Sequence, residues 1–236
     1  MTHKTFIAAP FGNYIKPAGA ISVTGTWTLA PRGNRVWSIL KSLRYNKEAG
    51  GWTNKLGLPN RGIHVGLRKT LPSEVLSIAE VNKGDFLELN RIIPQDQNIE
   101  LNLSCPNLGY QLPWETAKVF KKSKRKWCIA KLSPLTTLEE LKFVIDDLGF
   151  KQVHFSNTLP IGDAGGISGP VLKHFTLRLL EQCRKGWGKT VEIIAGGGVR
   201  DLSSASDYLG WDADHLSIGS VCFNPFKLKK LLKELL

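Results

Sequence analysis

A thiol and two carboxamides stand together where a predicted strand ends, in the sequence IELNLSCPN (99–107). Apolar and polar residues alternate along this strand, which stops before Pro106 because proline cannot donate to the ladder and restricts the residue before it. Cys105 therefore lies at a carboxyl-terminal strand end, where α/β barrels keep their chemistry. Asn102 and Asn107 can donate and accept hydrogen bonds without carrying charge. The pattern predicts a general base or a nucleophile beside a polar, planar substrate; the alternative is an inert buried thiol.

Two further strands carry candidate ligand contacts. Lys131 lies within an apolar strand, where a buried lysine needs an anionic partner. We predict that it contacts an electron-rich cofactor, the alternative being a lysine at the surface edge. Asn157 and Thr158 end the next strand, and we predict that they contact a ligand rather than only form a turn.

Glycines follow two late strands at the positions where barrels bind phosphate. The strand in IIAGGGV (193–199) ends in three glycines, and the strand in LSIGS (216–220) ends in Gly219 and Ser220. Backbone amides at two such adjacent strand ends, with a short helix N-terminus, hold an anion in barrel enzymes. GGISGP (165–170) is weaker evidence, because glycines also mark turns. The spacing excludes a Walker loop, and no dinucleotide-binding glycine motif follows the first strand.

Strand-like and helix-like segments alternate along the chain, which indicates a parallel sheet. The predicted strands are 5–9, 20–24, 75–79, 99–103, 127–132, 152–156, 191–195 and 215–218. The predicted helices are 61–69, 83–93, 114–123, 137–148, 169–184, 201–209 and 226–235. We therefore predict an α/β fold, a compact (β/α)8 TIM barrel forming one domain over residues 1–236.

Residues 10–19 leave little room for the first helix, because a parallel crossover needs about a dozen residues or more. Segment 25–60 is a long, turn-rich excursion of the kind that carries function at a barrel's top face.

The amino-acid composition argues against several classes of protein. The 236 residues are 42% hydrophobic and 22% charged, which supports a folded core and argues against disorder. No apolar run reaches the roughly 18 residues of a membrane span, and the N-terminus lacks the apolar core of a signal peptide. Four widely spaced cysteines and scattered histidines argue against a metal site and favour a reducing compartment. The net charge of +12 favours anionic ligands, nucleic acid or an acidic partner, with basic clusters at 118–126 and 227–233 that are either solvated helix faces or a functional patch.

Taken together, the motifs resemble the dihydroorotate dehydrogenase family, FMN-dependent barrel enzymes of pyrimidine biosynthesis. The matching stretches, in the family's order, are TNKLGLPNRGI (53–63), ELNLSCPN (100–107), AKLSP (130–134), SNT (156–158), GGISGP (165–170), IIAGGGV (193–199) and LSIGS (216–220). A cysteine before the proline is similar to the soluble class of the family. The resemblance implies a cytoplasmic oxidoreductase.

The resemblance also implies roles for individual residues. Cys105 would take a proton from C5 of dihydroorotate while hydride leaves C6 for the flavin. The implied substrate contacts are Asn54, Leu56, Gly57, Leu58, Asn102, Asn107, Asn157 and Thr158. The implied FMN contacts are Thr24, Gly25, Asn102, Lys131, Gly166, Gly197, Gly198, Gly219 and Ser220. Among these, Lys131 would lie near the pyrimidine end of the flavin, and the last four would hold its phosphate.

The implied partners are dihydroorotate and orotate, a second copy of the chain in a homodimer, and an electron-transfer partner chain, with no nucleic acid and no membrane span. Fumarate, NAD through a partner, and quinone all remain open as electron acceptors.

The chain also departs from the family pattern. Gly25 stands where soluble members carry a lysine in the second strand, Ala9–Asn13 replaces a small-residue element that touches the flavin, and the hairpin after Thr158 is expected to be lost. These departures keep open a degenerate barrel that binds phosphate or flavin without turnover. A tRNA-modifying flavoenzyme resembling the dihydrouridine synthases is a further alternative. Ser104 before the cysteine and the absence of room for a second, RNA-binding domain argue against it.

Overall fold

The computed structural model describes residues 3–103, 114–121, 124–155, 157–162 and 165–236. Cys105 and Asn107, which the sequence analysis places in the site, lie outside these residues. The strands in chain order are β1 (Thr5–Ile7), β2 (Ile21–Trp27), β3 (Arg44–Asn46), β4 (Gly51–Asn54), β5 (Val75–Ile78), β6 (Ile99–Asn102), β7 (Cys128–Leu132), β8 (Gln152–Phe155), β9 (Leu159–Pro160), β10 (Gly166–Ser168), β11 (Glu192–Gly196) and β12 (His215–Ile218). Eight of them close a parallel barrel in the order β1-β12-β11-β8-β7-β6-β5-β2.

Helices lie between most of the barrel strands. The α-helices are α1 (Arg35–Ser42), α2 (Ile63–Lys69), α3 (Asp85–Ile92), α4 (Leu138–Lys142), α5 (Lys173–Trp187), α6 (Leu202–Gly210) and α7 (Pro225–Leu235). A π-helical turn, Phe143–Asp147, extends α4, and Trp114–Phe120 forms a 3₁₀ helix between β6 and β7. Between β1 and β2 the described chain makes only a single 3₁₀ turn, Phe11–Asn13, because residues 8–20 are too few for a helix and two loops. The structure therefore confirms the predicted (β/α)8 barrel with its reduced first crossover.

Helix starts follow local side-chain chemistry. Thr137 caps α4 through a capping box with Glu140, each side chain accepting from the other residue's backbone N–H. Asp201 caps α6 in the same way with Ser204. These caps satisfy orphan backbone donors and fix where each helix leaves the barrel.

Alternation along the strands divides the core into two parts. The larger part packs strand residues such as Ile7, Leu101 and Phe155 against the helices. The neighbouring positions in the strands face inward instead and form a separate cluster of Phe6, Val23, Val75, Trp127, Ile129 and Ile194. The ring centroids of Phe6 and Trp127 lie 5.0 Å apart, edge to face. This apolar cluster fills the lumen of the barrel. The inward-facing positions nearer the carboxyl-terminal strand ends are polar.

A small antiparallel sheet in the order β3-β4-β10-β9 lies beside the barrel. Its strands come from the loops that follow β2 and β8, at the carboxyl-terminal end. The expectation that the hairpin after Thr158 is lost is wrong, since Ile167 of β10 pairs with Leu159 of β9. This two-residue strand persists because β10 also pairs with β4 on its other edge. Segment 25–60 thus supplies half of the sheet.

Within the described part of the chain, no helix is long and apolar enough to cross a membrane.

Candidate active site at the carboxyl-terminal end of the barrel

A cavity of about 430 Å³ opens at the carboxyl-terminal strand ends, between the barrel and the small sheet. Nine of the residues predicted from the sequence line it together: Asn54, Leu56, Lys131, Asn157, Thr158, Gly197, Gly198, Gly219 and Ser220. They come from β4, β7, β8, β11 and β12 or from the loops after these strands, which are distant in sequence. We call this space the carboxyl-end cavity. Its volume lies within the range of roughly 300–1,000 Å³ that is typical of cofactor sites.

Backbone without side chains forms one wall of the cavity. Gly197 and Gly198 have φ angles of +92° and +78°, in the left-handed region that favours glycine. A Cβ atom on Gly198 would lie 2.6 Å from Pro170 Cα, and one on Gly197 would lie 2.7 Å from Leu172 Cβ. The Tyr208 hydroxyl donates to the Gly197 carbonyl at 2.6 Å. The wall is therefore fixed in a shape that only glycine can adopt.

Aromatic side chains form another part of the lining, which we call the aromatic wall. Trp52 and Phe223 lie with ring centroids 4.5 Å apart, and Phe223 meets Phe11 edge to face at 4.9 Å. Ile39 and Leu43 of the excursion after β2 complete this apolar surface. The sequence analysis missed this wall, because its members come from four separate segments and share no motif.

Polar groups beneath the cavity form a buried network around Glu100. Its Oε1 accepts from the Ser77 hydroxyl at 2.9 Å and lies 3.8 Å from Lys131 Nζ, while its Oε2 is 2.7 Å from His154 Nδ1. Glu100 and His154 are each 1% exposed. Because alternate residues share a strand face, Glu100 projects to the same side as Asn102, which is the signal that could have identified it from the sequence.

The protonation states of this network follow from burial and charge. Burial raises the pKa of Glu100, but the nearby charge of Lys131 and the hydrogen bond from His154 outweigh it and lower the pKa to about 2. Burial lowers the pKa of His154, opposed by its hydrogen bond to Glu100. Glu100 is therefore ionised and His154 neutral near pH 7, with the proton on Nδ1. His154 Nε2 is buried without a hydrogen-bond partner among the described residues.

Asn102 lies just outside the cavity lining and supports it. Its Oδ1 accepts from Asn157 Nδ2 at 3.0 Å, and its Nδ2 is 3.4 Å from the Thr26 hydroxyl, which in turn lies 3.1 Å from the Ser77 hydroxyl. These contacts join the lining residue Asn157 to the buried network. Gly166 also supports the lining, since a Cβ atom there would collide with Thr158.

Four other predicted residues do not lie on the cavity lining. The Thr24 hydroxyl points away from the lumen and lies 2.6 Å from that of Thr70, at the end of α2. Strand β2 shifts register between Thr24 and Trp27, so Thr26 rather than Gly25 follows Val23 on the inner face. Gly25 instead exchanges hydrogen bonds with the side chain of Asn13. Gly57 and Leu58 lie in the loop after β4, both with φ near +60°.

The donors suit a planar, phosphorylated cofactor better than a metal. A glycine wall permits close approach of an anion to backbone N–H groups, the aromatic wall offers apolar contact to a ring, and Lys131 supplies a cation. Within the described residues, no group of three or more His, Cys, Asp or Glu side chains could hold a metal ion.

Comparison with known proteins identifies the family to which this chain is similar. A sequence model described as dihydroorotate dehydrogenase matches residues 14–236. The chain is 29% identical over 239 residues to "Dihydroorotate dehydrogenase B (NAD(+)), catalytic subunit" of Porphyromonas gingivalis, covering 87% of this chain and 75% of that protein. It is 27% identical over 250 residues to the protein of the same name from Desulforamulus reducens, covering 91% and 79%. A crystal structure of DHODH from Eimeria tenella in complex with ferulenol superposes with a TM-score of 0.72 at 19% identity, covering 98% of this chain and 80% of that one, which supports the fold.

Proposed function

Because this chain belongs to the dihydroorotate dehydrogenase family, we propose that it oxidises dihydroorotate to orotate in pyrimidine biosynthesis, with FMN held in the carboxyl-end cavity. One observation carries the proposal. Nine residues selected from the sequence converge on a single cavity that combines a glycine wall, an aromatic wall and a lysine.

The residues present fit FMN. Gly197, Gly198, Gly219 and Ser220 would hold its phosphate through backbone N–H groups and the Ser220 hydroxyl. Lys131 would lie beside the pyrimidine end of the ring, and Trp52 and Phe223 would contact its apolar part. When bound, FMN supplies the redox chemistry, and the protein supplies position and electrostatics.

Cys105 is our proposed general base, receiving at Sγ the proton from C5 of dihydroorotate. Asn54, Asn107 and Asn157 are proposed to bind the substrate with Thr158 and the segment Leu56–Leu58, while Asn102 holds Asn157 in place. Cys105 comes three positions after Asn102 in the sequence. The same strand end therefore carries the Asn102 amide that holds Asn157 and is followed by the proposed base. A thiol serves as a base near neutral pH only when its pKa is lowered, which nearby cations or the dipoles of a bound ligand can achieve.

Glu100 and His154 are proposed positioning residues for Lys131. The ionised carboxylate keeps a positive charge on the buried lysine favourable, and His154 and Ser77 prevent the carboxylate from turning away. Neither residue lines the cavity, so both would act through Lys131.

The relatives' name identifies them as catalytic subunits of an NAD(+)-using enzyme. We propose accordingly that electrons leave this chain through a partner chain rather than by quinone, and that the chain works in the cytoplasm.

A second candidate function, ligand binding without turnover, is favoured by Gly25. A Cβ atom there would lie 2.5 Å from the Ser77 carbonyl oxygen, so no lysine fits at this position. Lys131 is then the only lysine that lines the described part of the cavity.

An anaerobic spectrum of the full chain reconstituted with FMN and mixed with dihydroorotate separates the two functions. We expect the flavin absorbance near roughly 450 nm to bleach, because the bound flavin accepts the electrons. Flavin that binds and stays yellow would favour binding without turnover of dihydroorotate. Failure to bind flavin at all would contradict the FMN assignment.

A further inference from the structure

A second cavity, of about 400 Å³, lies at the opposite, amino-terminal end of the barrel. Three loops that lead into neighbouring barrel strands line it, through residues 121, 125, 126 and 128 at β7, 148–152 at β8, and 189, 190 and 192 at β11. We call it the amino-end cavity. It shares no lining residue with the carboxyl-end cavity, and nothing in the proposed oxidation uses it.

Each of the three loops brings positive charge to this cavity. Lys121, Lys126 and Lys151 are exposed and line it, and none of them has a carboxylate within 4.0 Å among the residues that the structure describes. Lys121 reaches across to the neighbouring loop and lies against Gly149. Cations gathered in this way repel one another unless an anion lies between them.

Arg125 gives the cavity a fixed cation. Its Nε donates to the Gln97 carbonyl at 2.7 Å, its Nη2 donates to the Pro94 carbonyl at 3.1 Å, and its guanidinium lies 5.6 Å from the centre of the Phe120 ring. It is 9% exposed, and its Nη1 has no hydrogen-bond partner among the described residues. A guanidinium held by carbonyls keeps its charge. No carboxylate lies within 4.0 Å of it among the described residues, and Asp96 interacts with it only at longer range.

The acidic group in the lining is already engaged. Glu192 Oε1 is 2.6 Å from His215 Nε2, and its Oε2 accepts from Gln152 Nε2 at 2.6 Å. Lys189, the remaining cation, is paired with Asp212 and Asp214. Among the described residues, Lys121, Lys126, Lys151 and Arg125 therefore contribute most of the charge that a ligand would meet.

We propose that the amino-end cavity binds a small polyphosphate anion, with Lys121, Lys126 and Lys151 as phosphate contacts around the fixed charge of Arg125. Clustered phosphates match cations that arrive from three directions, whereas a monoanion would neutralise only one of them. The apolar lining residues Leu148 and Phe150 are buried beneath this charge and offer no exposed aromatic face to a base. Recognition therefore rests on the phosphates, whether they are free or belong to a nucleotide.

Calorimetric titration of the full chain with inorganic triphosphate at low ionic strength tests the proposal, with saturating FMN present to occupy the other cavity. The test variant is K121Q/K126Q/K151Q, which leaves the buried Arg125 intact. The matched control is K229Q/K230Q/K233Q on α7, which removes the same net charge from exposed positions. We expect the test variant to bind roughly tenfold or more weakly, since each exposed ion pair contributes up to about a factor of five. The control variant should bind like the unmodified chain.

Lysine acetylation followed by mass spectrometry locates the ligand. Triphosphate should protect Lys121, Lys126 and Lys151 and leave the lysines of α7 reactive. A parallel titration with a nucleoside triphosphate identifies the source, because equal affinity indicates recognition of phosphates alone and tighter binding indicates a nucleotide. Absence of binding by the unmodified chain, equal loss in both triple variants, or protection elsewhere would overturn the proposal.

Discussion

The two ends of this barrel present cavities of similar volume and opposite character. At the carboxyl end, glycine backbone and aromatic rings form the walls, and the lining cation, Lys131, is balanced by the buried Glu100. At the amino end, Arg125 and three lysines that have no carboxylate contact in the described part of the chain come from loops, with little shape to select a ligand beyond charge. The first arrangement recognises a molecule by its shape and the second by its charge. Changes at either end should therefore affect one function and leave the other intact.

Replacing the proposed base should give the largest effect. We expect Cys105→Ser to slow flavin reduction by dihydroorotate by roughly 10²–10⁴-fold near neutral pH, because a hydroxyl loses its proton far less readily than a thiol and so supplies almost none of the basic form at that pH. FMN binding and triphosphate binding should not change. Anaerobic stopped-flow absorbance measures the rate.

Cys222→Ser is the matched control for this substitution. Cys222 follows β12 at the same end of the barrel, and burial raises the pKa of its thiol to about 12, so it holds its proton near neutral pH. Near-normal reduction in the Cys105 variant, or equal slowing in both, would remove Cys105 from the role of base.

Removing the buried anion beneath the carboxyl-end cavity should give the next largest effect. Glu100→Gln leaves Lys131 buried without its counter-ion, and we expect the free energy of unfolding to fall by about 3 kcal/mol at pH 7. Because the folded pKa of Glu100 is lowered to about 2, the stability from its ionisation is present above the unfolded pKa and is lost as pH falls through the folded one. The difference between the two proteins should narrow from about pH 5 towards pH 2.

Urea unfolding at several pH values measures this difference. Glu88→Gln provides the control, because the ion pair of Glu88 with Arg91 is exposed and should contribute little at any pH. A difference for Glu100→Gln that does not change with pH would mean that the ionised carboxylate is not what stabilises the fold. A changed FMN reduction potential at constant fold would support the positioning role of Glu100.

A substitution in the glycine wall should reduce the free energy of unfolding less than Glu100→Gln does. In Gly198→Ala the new Cβ meets Pro170 at a φ of +78°, and we expect a loss of about 1–2 kcal/mol in stability together with weaker FMN binding. Gly186→Ala is the control, since nothing lies within 4 Å of a Cβ there and the position is within α5, where alanine is favoured. Chemical unfolding and quenching of flavin fluorescence measure the two effects. Unchanged FMN affinity in Gly198→Ala would exclude this backbone from phosphate binding.

The sequence predicted the barrel well because its signals are local. Each of the eight barrel strands is a short, largely apolar segment followed by turn residues or a capped helix, as at Thr137 and Asp201. The glycines after β11 and β12 could be assigned to one site because carboxyl-terminal ends of parallel strands meet at one edge.

Features that depend on pairing between distant segments could not be predicted. β9 and β10 are only two and three residues long. They form because β10 pairs with β4, which lies more than a hundred residues earlier in the chain. The register shift in β2 moves Thr26 into the lumen, where strict alternation would place Gly25. His154 has a partner only because β8 and β6 flank β7 in the barrel.

Salt concentration should affect ligand binding differently at the two cavities. We expect the smallest effect of all on FMN binding at the carboxyl end. Exposed charges more than roughly 10 Å apart are screened at about 0.1 M salt, whereas buried groups are screened much less. We expect triphosphate affinity to fall steeply as salt rises, because Lys121, Lys126 and Lys151 are exposed. FMN affinity should change little, because Lys131 is 6% exposed and the proposed phosphate contacts, backbone N–H groups and the Ser220 hydroxyl, carry no net charge. Parallel titrations of both ligands across a salt series measure the two slopes. Equal slopes would mean that both cavities recognise charge, and the contrast between a shaped site and a charged site would fail.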